Sequence, residues 1–309
     1  MSAALAPAIT PAPAAPTAPG LAARTVTLLV PAVAVIVLFM VVPMLIAAGY
    51  SFLTAGAYGG VRLPLTADAY VRFLFDRDLD DSLIFDTTYI GIFARSFVLA
   101  VLTTLFCVAI GLPLAWFIAC RERRARDALL LAITIPFWTN LLVRTYCWVL
   151  ILRDQGLLNG ALQASGLTSA PITFLYSNEA ILLGLVYSFL PFMVLPIYAV
   201  VEKIDPRLIE AGHDLYAGRL AVFRHIVWPL ARPGIAAGTL LVFVPALGAF
   251  LAPDLLGGGK KLMIGSLIQL QFTSSRNWPF GAAAAMILMA LVLVGLVVMA
   301  RRRGAGAPR

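Results

Sequence analysis

Five long stretches of this chain contain no Asp, Glu, Lys or Arg, and each of them is strongly apolar. They lie between residues 24 and 62, 95 and 121, 179 and 202, 232 and 254, and 276 and 301. A helix needs about 20 apolar residues to cross the hydrocarbon core of a bilayer, and each stretch is long enough to supply them. The pattern therefore predicts at least five transmembrane helices.

A sixth span is predicted at about 129–152, where Arg144 is the only charged residue. The region between Asp154 and Glu179 is also uncharged, but its Gly, Asn, Ser and Pro residues favour a loop with short helical pieces. The predicted spans are about 28–53, 93–119, 129–152, 179–201, 233–252 and 278–300. The fold class is thus an all-α integral membrane protein with six transmembrane helices.

The composition agrees with a membrane protein and argues against a soluble one. Hydrophobic residues make up 61% of the 309 residues and charged residues 12%, whereas a soluble domain has about a quarter of its residues charged. The net charge of +8 does not come from a basic patch with interleaved aromatic residues, which a nucleic-acid partner would require. We therefore expect membrane lipids around the chain and no nucleic-acid partner.

The Lys and Arg residues outside the predicted spans are unevenly distributed between the two sides. With six spans both termini lie on one side, and that side holds 14 of these residues against seven on the other. Since cytoplasmic loops carry the excess of positive charge, both termini are predicted to be cytoplasmic. The chain should then be a multi-pass protein of the cell inner membrane.

The ends of the chain differ from its apolar body. Residues 1–24 are rich in Ala and Pro, with no charge before Arg24, and such a composition predicts a disordered cytoplasmic tail. A cleaved signal peptide is the alternative, but its apolar core has about 7–15 residues, and the apolar run from Thr25 is far longer. We expect a transmembrane domain at 25–302 and a second cytoplasmic tail at 303–309.

No catalytic or metal-binding motif is recognised. Cys107, Cys120 and Cys147 are expected to be small packing residues, and the two histidines fit no zinc pattern. The Gly-rich run at 257–261 lacks the spacing of a phosphate-binding loop and is predicted to be a turn. We therefore expect no cofactor on this chain, so that ATP, if it drives the protein, is used by another subunit.

Two charged residues in or beside the predicted spans are candidates for contact with a transported substrate. Arg144 lies about fifteen residues into its span, where a charge is costly and often functional, although snorkelling or capping of carbonyls would also account for it. Asp254, after Pro253, could bind an amine or cap a turn. Aromatic side chains could supply cation–π faces, or packing and interfacial belts; the candidates are Trp138, Tyr187, Phe192, Phe250 and Trp278.

The loop between the fourth and fifth spans, at about 202–232, has helical signals of its own. Asp205 followed by Pro206 is typical of a helix start, with a capping carboxylate and a proline at the first helical position. An apolar stripe at helical spacing follows, made of Leu208, Ile209, Gly212 and Leu215.

After a turn at Gly218, a second short apolar helix is predicted at about 220–227, with Pro229 and Pro233 marking the start of the next span. Such a loop could lie on the bilayer surface or dock a soluble partner, and physical reasoning alone does not separate these alternatives.

The same loop resembles the EAA loop of binding-protein-dependent ABC importer permeases, whose pattern reads E-A-A-x-x-x-G, nine residues, then I-x-L-P. Glu210, Ala211, Ile226 and Pro229 match this pattern. Three positions depart from it: Gly212 replaces the second alanine, Tyr216 the glycine and Trp228 the leucine. We expect Gly218 to take over the turn from the missing glycine.

The resemblance implies a coupling helix that docks an ATPase subunit. The residues expected to contribute are Glu210, Ala211, Gly212, Asp214, Leu215, Gly218, Ile226 and Pro229. Four further blocks, at 136–146, 190–198, 253–258 and 277–283, are similar to segments of spermidine/putrescine permeases and follow the same order. In all, the resemblance covers about residues 28–299.

The resemblance implies a six-transmembrane-helix ABC importer permease bundle with a cytoplasmic coupling-helix loop, and the chain looks like the first of two related permeases. The implied partners are a second homologous permease, two cytoplasmic ATP-binding subunits and a periplasmic substrate-binding protein. The expected function is to form half of the pathway for a small organic solute, with a polyamine as the expected substrate and alternating access as the mechanism.

Other functions remain as alternatives. Similar permeases serve other organic cations, amino-acid derivatives or ferric iron. A stand-alone secondary transporter would need internal repeats or broken helices around an ion site, and a membrane enzyme would need a nucleophile–base pair or a metal cluster at bilayer depth. The sequence shows no convincing example of either.

Overall fold

The computed structural model of the chain describes residues 29–56, 58–77 and 83–304. The predicted tail at 1–24 lies outside the described residues, as do residues 305–309 of the other predicted tail. Helix α1 covers Leu29–Ser51 and contains a π-helical segment at Val37–Val41. The chain divides after Gly49 into two compact units, and every later element belongs to the second unit.

Two small antiparallel hairpins follow α1, and the sequence pattern did not predict them. Strand β1 (Leu53–Ala55) pairs with β2 (Val61–Leu65), and β3 (Phe75–Arg77) pairs with β4 (Leu83–Phe85). The short helix α2 (Asp68–Val71) lies between the hairpins. Gly59 and Gly60 form the first turn at φ values of 100° and 78°, a region that glycine enters without steric cost.

The remaining elements are helical. They are α3 (Thr88–Ala119), α4 (Arg123–Thr134), α5 (Leu141–Leu152), α6 (Leu157–Ala164), α7 (Asn178–Val201), α8 (Pro206–Asp214), α9 (Arg219–Leu247), α10 (Leu251–Leu256), α11 (Ile264–Thr273) and α12 (Trp278–Gly304).

Five helices of the described chain are long and apolar enough to cross a membrane, namely α1, α3, α7, α9 and α12. A sixth crossing results if the bent pair formed by α4 and α5–α6 is taken as one span. The chain is therefore a helical integral membrane protein with the span number that the charge-free stretches predict.

The third span, predicted at about 129–152, is sharply bent. The helical segments Arg123–Trp138 and Leu141–Ala164 meet at an angle of 92°. Pro136 lies in a short 3₁₀ turn, Ile135–Trp138, and Thr139 is extended. The Asn140 side chain then accepts a hydrogen bond from the Leu142 amide at 2.8 Å, so α5 begins as a newly capped helix. The span predicted at about 129–152 therefore consists of two helices, because the turn at Pro136 ends one and Asn140 caps the next.

The fifth span also differs from its prediction at about 233–252. Helix α9 begins at Arg219 and ends at Leu247, and Pro229 and Pro233 lie inside it. A π-helical segment at Phe223–Val227 precedes Pro229, and its wider turn accommodates a proline ring that would clash with the carbonyl four residues earlier. The second helix predicted in the loop at 202–232 is therefore continuous with the helix of the fifth span.

The second span begins earlier than the predicted residue 93. The Asp86 carboxylate accepts hydrogen bonds from the Thr88 amide at 2.8 Å and from the Thr88 hydroxyl at 2.6 Å, which satisfies orphan donors at the start of α3. The hydrogen bond from the Thr88 hydroxyl, and after it the bond from the Thr88 amide, hold the pKa of the Asp86 carboxyl below its usual value.

The main core lies where α3, α7 and α9 pack against one another. It is made of the buried residues Cys107, Leu112, Ala115, Ile118, Met193, Val194, Ile197, Ala231 and Val242, among others. Small residues bring the helix backbones close, as is common where lipid provides no hydrophobic drive between helices. Of the three cysteines, Cys107 is buried in this core, whereas Cys120 and Cys147 are exposed, so the packing prediction fails for the last two.

Helix α9 approaches the backbone of α7 closely at Gly234. A Cβ atom at this position would lie 2.8 Å from the Pro196 carbonyl oxygen and 2.9 Å from the Ile197 Cα. Backbone atoms cannot yield as a flexible side chain can, so the two helices would have to separate.

We therefore expect Gly234→Ala to destabilise the bundle, because overpacking of this kind costs about 1–3 kcal/mol. The matched control is Gly295→Ala in α12, where a Cβ atom would meet nothing within 4 Å. Thermal unfolding of the purified protein in detergent should show a lower midpoint for Gly234→Ala only. Equal midpoints for the two variants would contradict this packing.

Candidate functional site

A cavity of about 290 Å³ opens beside the bend between α4 and α5. Its walls come from the bend itself, from the middle of α7 and from the segment that joins α9 to α10. The lining includes Phe137, Arg144, Phe189, Phe192 and Phe250. The bend creates this space because it turns α5 away from the line that α4 follows.

Arg144 lies in the first turn of α5, at the bend. Its guanidinium carbon lies 5.3 Å from the centre of the Phe137 ring, within the range of a cation–π contact. Its Nε atom is buried and has no hydrogen-bond partner in the part of the chain that the structure describes. A positive charge in a span is thus held mainly against an aromatic face.

The other walls of the cavity are aromatic and apolar. Phe137 and Phe192 make an edge-to-face contact with ring centres 4.7 Å apart, and Phe189 lies 6.2 Å from Phe192. Among residues 29–56, 58–77 and 83–304, no Asp or Glu lines this space. The cavity can therefore offer π faces and one resident cation to a small solute.

The structure brings only part of the predicted pathway set together. Arg144, Phe192 and Phe250 line the cavity, and Phe137 and Phe189, which the sequence analysis missed, join them. Asp254 is exposed on α10 and is not part of the lining. Trp138 is 80% exposed. Tyr187 packs edge-to-face on Trp148 at 5.5 Å, and Trp278 stacks on Tyr50 at 6.3 Å.

The second candidate site is the loop between α7 and α9, residues 202–218, which we call the α8 loop. The Asp205 side chain accepts a hydrogen bond from the Arg207 amide at 3.0 Å, and Pro206 is the first residue of α8. The predicted helix start is thus confirmed. Glu210 and Ala211 are both exposed on this helix, where a partner could reach them.

The predicted apolar stripe of α8 divides between two faces. Gly212 is buried, and a Cβ atom there would lie 2.9 Å from the Ile226 Cδ1 atom and 3.2 Å from the Val222 Cγ2 atom. A glycine at this position lets α8 pack closely on the start of α9. Leu208 and Leu215 instead face outward, at 48% and 82% exposure, so the prediction of a single stripe is wrong.

Apolar side chains are unusually exposed around the α8 loop. Tyr216 is 99% exposed and Leu220 is 80% exposed, close in sequence to the exposed Leu215. Asp214 and Gly218 in the same segment are also exposed, whereas Ile226 and Pro229 are half-buried. Exposed apolar side chains rimmed by polar ones are typical of a protein-binding surface.

Helix α8 ends in a turn that the sequence analysis placed wrongly. Tyr216 itself adopts the left-handed conformation, with φ of 61°, whereas Gly218 is extended, with φ of −67° and ψ of 162°. The Ala217 amide donates to the Gly212 carbonyl at 3.1 Å and the Tyr216 amide to the His213 carbonyl at 2.9 Å. This pattern is a Schellman cap, in which glycine is the usual left-handed residue.

A cleft of about 700 Å³ separates the α8 loop from the end of α3. Ile209 and His213 line one side, and Trp116, Phe117 and Arg121 line the other. The Arg121 guanidinium carbon lies 4.1 Å from the centre of the Phe117 ring. Nearby, the Arg126 Nη1 atom of α4 lies 3.0 Å from a Glu202 carboxylate oxygen at the end of α7.

The Gly-rich run after α10 is a turn, as predicted. Gly258 and Gly259 adopt φ values of 62° and 68°, and a Cβ atom at Gly258 would lie 2.3 Å from the Tyr176 ring. In the described part of the chain, no three His, Cys, Asp or Glu residues are grouped closely enough to hold a metal ion.

Comparison with known proteins places the chain among inner-membrane components of transport systems. A family model described as "Binding-protein-dependent transport system inner membrane component" matches residues 111–302. This range contains the bend, the cavity and the α8 loop, so both candidate sites fall within the matched region.

Curated relatives extend the similarity over most of the chain. The chain is 40% identical over 264 residues to the spermidine/putrescine transport system permease protein PotB of Escherichia coli (strain K12), covering 85% of this chain and 91% of that protein. It is 38% identical over 261 residues to PotB of Haemophilus influenzae, covering 84% and 87%. A more distant relative is the molybdenum transport system permease protein ModB of Azotobacter vinelandii, at 26% identity over 67% of this chain and 92% of that protein.

A solved structure shares the fold. A bacterial ABC transporter involved in the import of the acidic polysaccharide alginate matches with a TM-score of 0.67 at 18% identity, covering 93% of this chain and 96% of that chain. The same type of transporter in complex with alginate pentasaccharide-bound periplasmic protein matches with a TM-score of 0.67, covering 90% and 94%.

The left-handed cap at Tyr216 leads to a test of the α8 loop. Tyr216→Gly should slow amide exchange across residues 206–217, because glycine avoids the cost of about 1 kcal/mol that a side chain adds in this conformation. Tyr216→Val should accelerate exchange, since a β-branched residue fits this region poorly. Hydrogen–deuterium exchange with mass spectrometry measures both effects.

The matched control for this test is Leu215→Val, since Leu215 is the neighbouring exposed residue and has a φ of −83°. It should leave exchange close to that of the wild type. A Tyr216→Gly loop that exchanges faster than the wild-type loop would show that the ring, and not the backbone, stabilises this cap.

Proposed function

The chain belongs to the family of binding-protein-dependent transport system inner membrane components, and from this premise we propose that it forms half of the pathway of an ABC importer for a polyamine such as spermidine or putrescine. In this proposal the chain is a transporter subunit that has no ATPase site of its own. The main support for a polyamine substrate is the 40% identity to PotB along 85% of the chain.

The cavity at the bend fits the proposed substrate in part. Its phenylalanine rings offer faces that attract ammonium groups, and its volume of about 290 Å³ suits a segment of a slender alkylamine. Arg144 is a cation in the same space, and its charge would favour an anion instead. One such anion is molybdate, since the relative ModB belongs to a molybdenum transport system. The substrate is therefore the first property to test.

The proposed mechanism is alternating access. A periplasmic binding protein delivers the solute to the outer side of two related permeases, and ATP-driven closure of two cytoplasmic subunits displaces the α8 loops. Each permease then rocks between outward-facing and inward-facing states. The chain itself binds no cofactor in this scheme, because ATP is bound and used by the partner subunits.

The proposed ATPase contact is the outward face of the α8 loop. Glu210 and Ala211 are exposed on α8, and Leu215 and Tyr216 extend this face with apolar surface. A small residue such as Ala211 allows a partner helix or groove to approach closely. Gly212 and Ile226 would support this face from the opposite side, since they pack α8 on the start of α9, and Pro229 lies further along α9.

The substrate proposal predicts uptake of labelled spermidine by the reconstituted importer, containing both permeases and both ATPase subunits, when its binding protein and ATP are supplied. Excess unlabelled putrescine should reduce the signal to background, and molybdate should not. Vesicles without ATP provide the control. Uptake of molybdate in place of spermidine would contradict the polyamine assignment while leaving the permease assignment intact.

The coupling proposal predicts that Ala211→Asp and Glu210→Lys release the ATPase. Loss of a well-packed interface anchor costs about 2 kcal/mol or more, which weakens association more than about tenfold. Pull-down of the ATPase by the tagged permease measures this effect. Ala161→Asp is the matched control, because Ala161 is likewise exposed on a short helix, α6. Wild-type retention of the ATPase by both loop variants would exclude the α8 loop as the contact.

The proposed orientation places both termini and the α8 loop in the cytoplasm. Reporter fusions after Arg126, Asp214 and Arg303 should therefore give a cytoplasmic signal, because this side holds the excess of Lys and Arg. Fusions at Ser165 and Lys260 should give a periplasmic signal and serve as the opposite control. A periplasmic signal at Asp214 would overturn both the orientation and the ATPase contact.

A further inference from the structure

Arg144 is a positive charge that the described chain does not neutralise. The ion pair between Arg126 and Glu202 lies outside the lining of this cavity. No carboxylate belongs to the described lining around Arg144, and its buried Nε atom lacks a hydrogen-bond partner there. A charge in a membrane span that is left in this state is expected to have a function.

The guanidinium of Arg144 lies against an aromatic face of the cavity. Its central carbon lies 5.3 Å from the Phe137 ring centre, and the Phe137 ring contacts Phe192 edge-to-face at 4.7 Å. Arg144 therefore occupies an aromatic face that would otherwise be available to an ammonium group. Arg144 is thus a resident cation in the cavity that we take as the substrate site.

We propose that Arg144 is a built-in competitor for the substrate, which holds the aromatic cavity in a low-affinity state so that a polyamine passes through without being retained. This proposal rests on the proposed function. Two positive charges repel each other across a few ångströms of a poorly screened interior, and both would seek the same ring faces.

Weak binding in the pathway suits an importer whose binding protein already supplies capture. Passage requires a site that is favourable enough to enter and weak enough to leave. Without Arg144, the same phenylalanine rings would hold an amine with no competing charge. Substrate retention should then rise while the maximal rate of uptake falls.

The test compares Arg144→Gln and Arg144→Lys with wild type in the complete reconstituted importer. Labelled spermidine retained after washing is measured without nucleotide, and the maximal rate and half-saturating concentration of uptake are measured with ATP. For Arg144→Gln we expect retention to rise about tenfold, the order of one cation–π contact, with a lower maximal rate. Arg144→Lys keeps the cation and should remain near wild type.

The matched control is Arg153→Gln, because Arg153 is an exposed arginine at the end of the same helix, α5. It should alter neither retention nor rate. ATPase pull-down by each variant confirms that the complex has assembled, and the behaviour of Arg144→Lys separates a role of the charge from a role in folding.

The outcomes separate the proposal from the function on which it rests. If wild-type complex takes up spermidine but Arg144→Gln retains less of it, or if the Gln and Lys variants behave alike, the competitor role is overturned and the polyamine function stands. If wild-type complex takes up an anion and Arg144→Gln abolishes this uptake, the polyamine function is overturned, and Arg144 is a substrate ligand instead.

Discussion

The hydrogen bond from the Leu142 amide to the Asn140 side chain, at 2.8 Å, is the interaction on which the centre of this permease depends. Backbone groups at membrane depth must find partners inside the protein, so a span can be broken only where a side chain or a cavity satisfies the freed groups. Asn140 supplies this partner directly after the 3₁₀ turn that contains Pro136. The resulting bend provides the cavity and places both Phe137 and Arg144 at its wall.

The span number was predictable from the sequence, whereas the shapes of two spans were not. Charge-free stretches locate apolar helices because lipid excludes unpaired charge, and that constraint does not depend on neighbouring helices. The bend at Pro136 was hidden because a proline in a span is compatible with a simple kink. Only the combination of Pro136 with a capping Asn140 distinguishes a break from a kink, and hydropathy does not register a cap.

The start of the fifth span was hidden for the opposite reason. Arg219, Arg224 and Arg232 keep hydropathy low before residue 233, and Pro229 and Pro233 indicate a boundary. The helix nevertheless continues through them, because the π-helical segment at Phe223–Val227 widens the turn ahead of the first proline. The candidate pathway residues were only partly predictable from the sequence. Residue type indicates an aromatic face, but only packing shows that Phe192 lines the cavity while Trp278 stacks on Tyr50.

Two of the contacts between the α8 loop and the spans differ in strength. The ion pair between Arg126 and Glu202 is partly exposed, with side-chain exposures of 24% and 36%, and pairs of this kind contribute about 0–1 kcal/mol. The packing of Gly212 against Ile226 and Val222 leaves little free space, since an added Cβ atom would lie 2.9 Å from Ile226. Close-packed groups transmit displacement because they cannot be compressed.

Under the proposed coupling, a push on α8 would pass chiefly to the start of α9, and the ion pair to α4 would add a weaker restraint. Helix α9 would carry this displacement along its length, because it is continuous from Arg219 to Leu247. Its far end adjoins Gly248 and Phe250, which line the cavity opposite Arg144. The unbroken passage of α9 through Pro229 and Pro233 thus gives the loop a direct mechanical connection to the wall of the proposed pathway.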